Sequence, residues 1–374
     1  DVSRDLGQPL GVVSGAPIPV VFFALVQPQM GWSGQRGGRR PVRVTIDELA
    51  SRLGLSSASV SYALNGQPGV SDATRARVQA LAAELNWRPS STARALSRSR
   101  SDAIGMILRR DPSLLGAEPY YMNLISGIER VLSAADLTLL FRMVGADRDA
   151  DASIYRRWSG ERRVDGVLLF DHFIDDDRPA LLKSLDLPFV AHGSAMTDIG
   201  GPTFIYDLVE DASLIIDHLS HLGHRSVLHI TGSHRFTNEL NRITTMRESA
   251  GRHAIRYRAV EGDYSIEQAT QITHQVLLTA DPPSAIVTSN DLMALGVTAA
   301  LRSGRNRPTA VVAFDDSLLC RIAEPSVTAL ERFTEEQGQR STRMLLALRD
   351  GTATDDHVAK RSQLVVRASS VSAA

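Results

Sequence analysis

Apolar and polar residues follow two different spacings along the chain. From Thr45 to Leu85, apolar side chains recur every three or four positions, which is the spacing of one face of an amphipathic helix. From Asp102 onward, short apolar runs alternate with longer amphipathic stretches, which is typical of βαβ units and a parallel sheet. The pattern therefore predicts a small all-α region followed by a larger α/β region.

The small region contains three predicted helices. Thr45 begins the first with a Thr-x-x-Glu capping box, and Gly54 ends it. A tight turn through that glycine leads to Ser56, which caps a second helix that stops at Asn65. The third begins after Ser71 and completes a small core. Two short helices joined by such a turn form the helix-turn-helix pattern, in which the second helix enters the major groove of DNA.

The outward side chains of the second helix are small or hydroxylic. Hydroxyl and methyl groups can contact base edges, phosphates and thymine methyl groups, but none of these residues forms the bidentate pairs that identify a base. The candidate DNA-contacting residues of this region are Thr45, Ser56, Ser57, Ala58, Ser61, Tyr62, Asn65 and Arg75. Amphipathic helices interrupted by glycine also occur in proteins without a DNA function, so the spacing alone leaves both readings open.

The residues after the third helix favour the DNA-binding reading. They contain Arg-Pro-x-x-x-Ala-Arg-x-Leu from Arg88 to Leu96, preceded by Val-Ser-x-x-Thr-Arg-x-Arg-Val from Val70 to Val78. The helix-turn-helix itself reads Gly-Leu-Ser-x-x-Ser-Val-Ser-x-Ala-Leu-Asn-Gly. In this order and spacing, the motifs resemble the head and hinge of the LacI/GalR family of transcriptional regulators.

The resemblance implies a role for the segment after Pro89. In the family, this segment becomes a hinge helix when two chains sit on an operator. Leu96 matches the leucine that wedges into the minor groove, and Ala93 matches the small residue packed beside it. An apolar wedge partly unstacks a base step and bends the duplex. Ala93, Arg94 and Leu96 are therefore further candidate DNA contacts, with Ser90 where the family most often has Asn.

Composition and charge agree with this interpretation. With 374 residues, 43% of them apolar and 22% charged, the chain is long enough for two or three globular domains. The net charge of −1 is uninformative, but residues 41–101 carry eight arginines against four acids. Arginines that neutralise phosphates give salt-dependent DNA affinity. The single cysteine, Cys320, agrees with a reducing compartment, so we expect a cytoplasmic protein.

Residues 1–41 do not belong to either pattern. Their apolar run over residues 19–26 is too short to span a bilayer, and no membrane association is expected. We expect a disordered extension, or a translation start placed too far upstream. The Gly- and Arg-rich residues 31–40 leave a phosphate-contacting basic arm as the alternative.

The α/β region contains seven predicted strands and six predicted helices. The strands are Ile104–Leu108, Leu137–Phe141, Val164–Phe170, Pro188–Ala191, Val227–Thr231, Ala285–Thr288 and Ala310–Phe314. The helices are Tyr121–Ala134, Glu210–Leu222, Glu239–Ala250, Ser265–Thr279, Asp291–Ser303 and Thr334–Asp350. Polar residues follow several strands, at the edge where open α/β sheets bind ligands.

This region resembles the effector half of the same family. Matching motifs are His-Leu-x-x-Leu-Gly-His-Arg from His218, Ser-Asn-Asp-x-Met-Ala-x-Gly from Ser289, and Phe-Asp-Asp from Phe314. The resemblance implies two doubly wound parallel-sheet subdomains, like those of a periplasmic binding protein, with a ligand cleft between them. In sugar-responsive members, three polar residues of such motifs bind ligand hydroxyls, and they match Arg242, Asn290 and Asp315.

Each of these ligand candidates has a structural alternative. Arg242 and Asp315 could form a salt bridge or a strand-end cap, and Asn290 could cap the helix after it. Thr245 and Ala313 stand where the family has glycines. Two further candidates are Tyr121, as a stacking ring or a core residue, and Asp207, as a ligand contact or a helix cap. His172 and His192 follow apolar runs and could reach the cleft edge.

No catalytic, cofactor-binding or metal-binding motif is found. The sequence has no Gly-x-Ser-x-Gly, His-Glu-x-x-His, P-loop or dinucleotide-binding pattern. His218, His221 and His224 are the nearest approach to metal-ligand spacing, and they fall within the family motif. The sequence therefore predicts neither an enzyme nor a cofactor.

These observations predict five segments. They are an extension over 1–41, a helix-turn-helix domain over 42–88, a hinge helix and linker over 89–101, an effector-binding and dimerisation region over 102–367, and a frayed tail over 368–374. The predicted function is a homodimeric repressor of carbohydrate genes that binds pseudo-palindromic operator DNA and responds to a sugar-like effector. A regulator that responds to a nucleobase or a phosphorylated metabolite, an activator, and a plain solute-binding protein remain as alternatives.

Overall fold

The computed structural model describes residues 44–87, 100–112, 116, 118–145, 150–193, 201–303, 309–352 and 357–370. Contacts divide the chain between Arg88 and Pro89 into two units. The hinge candidates Ala93, Arg94 and Leu96 and the extension over 1–41 lie outside the described residues. In the described part, no helix is long and apolar enough to cross a membrane, and no group of three potential ligands could hold a metal ion.

The first unit contains the three predicted helices. They are α1 (Ile46–Leu53), α2 (Ser57–Leu64) and α3 (Asp72–Glu84). Each begins at a hydroxyl that accepts a backbone N–H three residues later: Thr45 from Glu48 at 3.2 Å, and Ser56 from Ser59 at 3.1 Å, with Ser71 doing the same for α3. Gly54 ends α1 in the left-handed conformation with φ 66°. A small apolar core of fully buried side chains holds the helices together: Leu49, Val60, Ala63 and Val78.

The second unit contains twelve described strands. They are β1 (Ala103–Leu108), β2 (Thr138–Met143), β3 (Val167–Leu169), β4 (Phe189–Gly193), β5 (Thr203–Ile205), β6 (Ser226–Thr231), β7 (Arg256–Glu261), β8 (Ala285–Thr288), β9 (Ala310–Ala313), β10 (Thr328–Glu331), β11 (His357–Val358) and β12 (Gln363–Val365). They form two sheets in the orders β11-β5-β4-β3-β1-β2 and β12-β10-β9-β8-β6-β7. All described pairs are parallel except β10 with β12. Two doubly wound parallel sheets confirm the predicted fold class.

Nine described helices surround these sheets. They are α4 (Pro119–Ala134), α5 (Ala152–Gly160), α6 (Arg178–Ser184), α7 (Leu208–His221), α8 (Thr237–Arg252), α9 (Ile266–Leu277), α10 (Asp291–Ser303), α11 (Leu318–Ile322) and α12 (Thr334–Arg349). The first subdomain holds the sheet of β1–β5 and β11 with α4–α6 and α12, and the second holds the remaining sheet with α7–α11. The chain therefore passes between the subdomains after β5, β10 and β11.

The sequence prediction missed several short elements. The strands β5, β7, β10, β11 and β12 and the helices α5, α6 and α11 were not predicted. In β7, no residue of Arg-Tyr-Arg-Ala-Val-Glu is fully buried, because this strand is the outer edge of its sheet. A strand of this kind lacks the continuous apolar run by which central parallel strands are found.

The chain end is ordered further than predicted. Ser369 is 2% exposed, its hydroxyl donates to the Val311 carbonyl at 2.6 Å, and it accepts the Thr328 N–H at 2.9 Å. These bonds attach residues 368–370 to β9 and β10, so the expected fraying over 368–374 is wrong for this part. Residues 371–374 lie outside the described residues.

Two glycines let α4 and α12 pack closely. A Cβ built on Gly127 would overlap the Glu335 carbonyl oxygen, and one built on Gly338 would overlap the Leu124 carbonyl oxygen. The two backbones therefore touch at a point that admits no side chain. Because α12 also packs on β3, β4 and β5, this crossing attaches the helix to the first subdomain.

We expect Gly127→Ala to lower the free energy of unfolding by about 1–3 kcal/mol, because the added methyl group forces the two helices apart. The matched control is Gly251→Ala in α8, where the added Cβ meets no atom within 4 Å and should stabilise the helix by up to about 1 kcal/mol. Urea unfolding monitored by circular dichroism measures both. Equal midpoints for the two variants would contradict the close packing of α4 and α12.

Candidate functional site

The exposed face of α2 presents the predicted recognition residues. Ala58 and Tyr62 lie one turn apart on this helix, and Tyr62 is 43% exposed. Ser57 is also exposed, and its hydroxyl donates to Asp47 Oδ1 at 2.6 Å. Ser61 is partly buried and accepts from the Asn65 side-chain amide at 3.3 Å. The free part of this face is therefore formed mainly by Ala58 and Tyr62.

Arg75 has a structural role that was not predicted. Its guanidinium donates to the carbonyl oxygens of Ala63 at 3.2 Å and Gln67 at 2.9 Å, and to that of Tyr62 at 3.4 Å. These bonds tie the end of α2 to α3 and leave fewer N–H groups for a phosphate. Thr45 and Ser56 likewise cap α1 and α2, and Asn65 ends α2. Four of the eight head candidates thus have structural roles, and three of these, Ser56, Asn65 and Arg75, act on the recognition helix.

In the second unit, a cleft opens between the carboxyl ends of the two sheets. It encloses about 640 Å³ of empty space, including the solvent at its mouth. Its polar lining side chains are Arg110, Glu118, Asp171, His172, His192, Thr237, Asn238, Glu239, Arg242, Ser289, Asn290 and Asp315. Aromatic rings complete the wall: Tyr120, Tyr121, Phe170, Tyr206 and Tyr264. Parallel strands bring these polar groups to one edge, as the sequence predicted for this fold.

Four of the five predicted ligand residues line this cleft, and one does not. Arg242, Asn290, Asp315 and Tyr121 belong to its wall. Asp207 is exposed and does not line it; one of its carboxylate oxygens accepts the N–H groups of Val209 and Glu210, both at 3.0 Å. The prediction of a ligand contact at Asp207 is therefore wrong, because its carboxylate caps α7.

Arg242 is fixed by Glu239, which the sequence analysis missed. Arg242 Nη1 donates to Glu239 Oε1 at 2.9 Å and to the Ser289 carbonyl at 3.2 Å. Burial opposes ionisation of Glu239, but Arg242 and the Ser289 hydroxyl together lower the pKa of this carboxyl below its ordinary value. Arg242 Nε is buried and has no partner among the described residues, so this N–H is available to a ligand oxygen.

Asp315 is held by Arg332, a second residue that the sequence analysis missed. Arg332 Nη1 donates to Asp315 Oδ1 at 3.0 Å, and Arg332 Nε lies 3.5 Å from Asp211. Burial disfavours the charged guanidinium, yet Asp315 and Asp211 raise the pKa of Arg332 well above its ordinary value. Arg332 directly follows β10, where the chain passes from the second subdomain to the first. Its pair with Asp315 therefore connects the lining of the cleft to this connecting segment.

Asn290 carries out the capping role that was predicted as its alternative. Its Oδ1 accepts the Met293 N–H at 2.9 Å, at the start of α10. Its Nδ2 donates to Glu118 Oε1 at 3.1 Å and to the Tyr264 carbonyl at 3.2 Å. Because Glu118 belongs to the first subdomain, the amide of Asn290 bridges the cleft.

Arg110 also bridges the cleft and has no counterpart in the predicted set. Its guanidinium lies between the rings of Phe236 and Tyr264, 4.3 Å and 4.2 Å from their centroids. It pairs with Asp171 at 3.1 Å and donates to the Tyr121 hydroxyl at 3.2 Å. Tyr121 packs in the apolar core of the first subdomain while its hydroxyl faces these groups.

Two neutral histidines complete the wall. Burial lowers the pKa of His192 to about 3 and also lowers that of His172. His172 Nδ1 lies 3.2 Å from Asp176 Oδ2, and neither Nε2 atom has a hydrogen-bond partner among the described residues. Each free Nε2 atom can therefore exchange a hydrogen bond with a ligand hydroxyl.

A buried hydrogen-bonded chain leads from this cleft through the second sheet. The Tyr257 hydroxyl lies 2.8 Å from His229 Nδ1, His229 Nε2 lies 3.1 Å from Ser289 Oγ, and that hydroxyl donates to Glu239 Oε2 at 2.6 Å. Because Ser289 gives its only proton to the ionised carboxylate, His229 donates from Nε2 and accepts from Tyr257 at Nδ1. The chain therefore has one direction and ends on the carboxylate that holds Arg242.

Asp291 predicts a pH-dependent stability. Burial raises the pKa of this carboxyl to about 7, so the folded protein holds a proton that the unfolded chain releases near its ordinary pKa of about 4. This contribution to stability is present below pH 4 and is lost as pH rises toward 7. The asparagine of Asp291→Asn cannot ionise, so this variant does not lose that stability. We therefore expect its free energy of unfolding, relative to that of the wild type, to rise by about 1–3 kcal/mol from pH 5 to pH 8. Parallel urea denaturation at the two pH values measures this difference, and identical changes in both proteins would contradict it.

Comparisons with known proteins cover most of this chain. Residues 45–90 match the family described as bacterial regulatory proteins, lacI family, and residues 216–370 match a periplasmic binding protein-like domain. The HTH-type transcriptional regulator CelR of Thermobifida fusca is 28% identical over 341 residues, covering 88% of this chain and 98% of that protein.

Solved structures agree with this relationship. A lac repressor dimer bound to operator and the anti-inducer ONPF superposes with a TM-score of 0.77 at 25% identity, covering 88% of this chain and 99% of that one. A complex of CelR with cellobiose gives a TM-score of 0.65 at 26% identity, covering 88% and 100%. The chain therefore belongs to the LacI family of bacterial regulatory proteins and is a DNA-binding transcriptional regulator rather than an enzyme.

Proposed function

We propose that this regulator is a homodimeric repressor of carbohydrate genes, and that a sugar-like effector in the cleft controls its affinity for operator DNA. The chemistry of the cleft supports the part of this proposal that concerns the effector. Arg242 and Asp315 are each fixed by a buried partner of opposite charge, and the two histidine Nε2 atoms are free. Rigid donors and acceptors around a small cavity suit the hydroxyl groups of a sugar, which both donate and accept.

The charge balance of the cleft disfavours a phosphorylated effector. Arg110, Arg242 and Arg332 each pair with a carboxylate: Asp171, Glu239 and Asp315 respectively. A phosphate would have to displace one of these buried pairs, and the released carboxylate would be left without its partner. The CelR–cellobiose complex adds support, since that relative binds a sugar.

A nucleobase is the second candidate effector. Tyr120, Tyr206 and Tyr264 line the cleft, and aromatic rings can stack on a planar base, although Arg332 lies 4.7 Å from the centroid of the Tyr206 ring. The face of Tyr264 is covered by Arg110 in this structure, so a base would have to replace that guanidinium. This cost favours the sugar over the base.

Exposed apolar side chains support the homodimer. Leu318 and Ile322 on α11 are 61% and 67% exposed, and Ile266 at the start of α9 is 37% exposed. Both helices pack on α10, so one side of the second subdomain carries these residues. A two-fold dimer would bury them and present two heads to a pseudo-palindromic site.

A ligand panel with an Asp315 variant tests the effector proposal. Thermal shift is measured with mono- and disaccharides, nucleobases and sugar phosphates against the wild type, Asp315→Ala and the exposed control Asp281→Ala. We expect a sugar to stabilise the wild type and the control, by about 2.7 kcal/mol at 100 times its Kd, but not Asp315→Ala. Stabilisation by a nucleobase or a sugar phosphate instead, or equal stabilisation of all three proteins, would reject the proposed effector class or its site.

A variant at the hinge candidate Leu96 tests whether DNA binding can be lost separately from effector binding. By resemblance, we expect Leu96→Ala to lose specific DNA binding while it still binds the effector. A reporter gene that carries a DNA site bound by the wild-type protein then distinguishes repression from activation. Unchanged DNA affinity in Leu96→Ala would remove the hinge role proposed for this residue.

A further inference from the structure

A groove runs along the outer edge of the second sheet, away from the cleft lining. It follows β7, the last strand of that sheet, and encloses about 1070 Å³ of empty space, including the solvent at its mouth. None of the residues that line it lines the cleft. The groove is thus a separate cavity with a wall of its own.

The floor of the groove is apolar. Leu240 and Ile243 project from one face of α8, and Val260 and Val276 come from β7 and α9. Ile243 is 7% exposed, and Val260 and Val276 pack against the apolar core of the second subdomain. A ligand in this groove would therefore cover mainly Leu240, Val260 and Val276, which the fold leaves partly open.

Two arginines stand at the rim. Arg247 lies on the same face of α8 as Leu240 and Ile243, and Arg258 projects from β7. Both are exposed, and neither forms a salt bridge in the described part of the chain. The neighbouring Arg256, by contrast, pairs with Asp281. The rim therefore presents two positive charges above an apolar floor.

Tyr257, in one wall of the groove, is fixed by a hydrogen bond to a buried residue. Tyr257 lines the groove, and its hydroxyl is the first member of the buried chain through His229 and Ser289 to Glu239. This bond fixes the ring without a ligand, so this part of the wall is preformed. The same chain connects the groove wall to the carboxylate that holds Arg242 in the cleft.

We propose that this groove is a second ligand site, which binds a small organic anion with an apolar body. The apolar part covers Leu240 and Val260, and the anionic group lies between Arg247 and Arg258. This site does not depend on the identity of the effector in the cleft. An anion with an aromatic or alicyclic body and one carboxylate, sulfonate or phosphate group has the chemistry that the groove matches.

The probe for the test is 1-anilinonaphthalene-8-sulfonate, which combines an aromatic body with a single sulfonate. Its fluorescence is titrated with the full chain, with Arg247→Glu/Arg258→Glu, and with Arg252→Glu/Arg302→Glu. The control pair changes the net charge equally at two exposed arginines outside the groove. We expect saturable binding to the wild type and the control, and at least about tenfold weaker binding to the groove variant.

A blocking variant provides a second readout that does not alter charge. Thr244 is exposed and lines the groove, whereas Cys320 is buried. Thr244→Cys therefore adds an accessible thiol, and its reaction with a bulky maleimide should abolish probe binding. If the wild type does not bind the probe, if the two arginine pairs lose affinity equally, or if the blocked protein binds normally, the proposed site is wrong.

Discussion

Ala58→Asp is expected to lose at least about 100-fold in affinity for the DNA site that the wild-type protein selects, because the new carboxylate meets phosphates and base edges in the major groove of the DNA. The loss should not come from unfolding. Ala58 is the second residue of α2, and an acidic side chain in the first turn of a helix is favourable. We therefore expect an unchanged unfolding midpoint, with the affinity measured by electrophoretic mobility shift.

The matched control for this prediction is Ala80→Asp. Ala80 is exposed on α3, and its replacement by aspartate adds the same charge to the same small domain. If affinity depends on the exposed face of α2, the control stays within about threefold of the wild type, as expected for general repulsion screened by salt. Equal losses in the two variants would show that α2 is not the reading helix.

Asp151→Ala is expected to destabilise the second unit by about 3–5 kcal/mol, because it removes the closer of the two carboxylates beside the buried Arg109, whose other carboxylate, that of Asp176, lies 3.7 Å away. Asp151 is fully buried and accepts from Arg109 at 2.9 Å and 3.2 Å, while Arg178 Nη1 lies 3.6 Å away. Arg178 also donates to the Phe170 and Asp171 carbonyls at 2.8 Å and 3.0 Å. The same change should therefore disturb the cleft wall after β3.

A surface ion pair provides the comparison. Asp151 precedes the first residue of α5, and Glu161 follows its last residue. The Glu161 carboxylate lies 3.7 Å from the Arg163 guanidinium, and both side chains are about half exposed. We expect Glu161→Ala to change the free energy of unfolding by less than about 0.5 kcal/mol, since exposed pairs contribute little. Chemical denaturation measures the free energy of unfolding of the two variants. Similar losses of stability in both would mean that burial does not determine how much Asp151 contributes.

Local signals explain what the sequence predicted well. Thr45, Ser56 and Ser71 are caps, and a cap needs only a hydroxyl followed by a helical segment. Central strands such as β8 and β9 are buried on both faces, so they appear as continuous apolar runs. The cleft residues Arg242, Asn290 and Asp315 were found through motifs rather than through their own chemistry.

The missed and mistaken residues depend on partners that are distant in sequence. Arg332 pairs with Asp211, and Arg110 with Asp171, so neither arginine belongs to a local spacing that could reveal it. Asp207 was misassigned because an aspartate before a helix looks the same whether it caps the helix or faces a ligand. Only the folded chain shows that its carboxylate is occupied by two backbone N–H groups.

The most direct test of the central claim is selection of DNA from a random double-stranded pool by the full chain. Two copies of the head related by a two-fold axis should enrich a pseudo-palindromic site, and its affinity should fall steeply with salt. The sugar that stabilises the wild-type protein should change this affinity. Enrichment of no sequence, or of a single asymmetric site indifferent to every effector, would contradict a ligand-controlled homodimeric regulator.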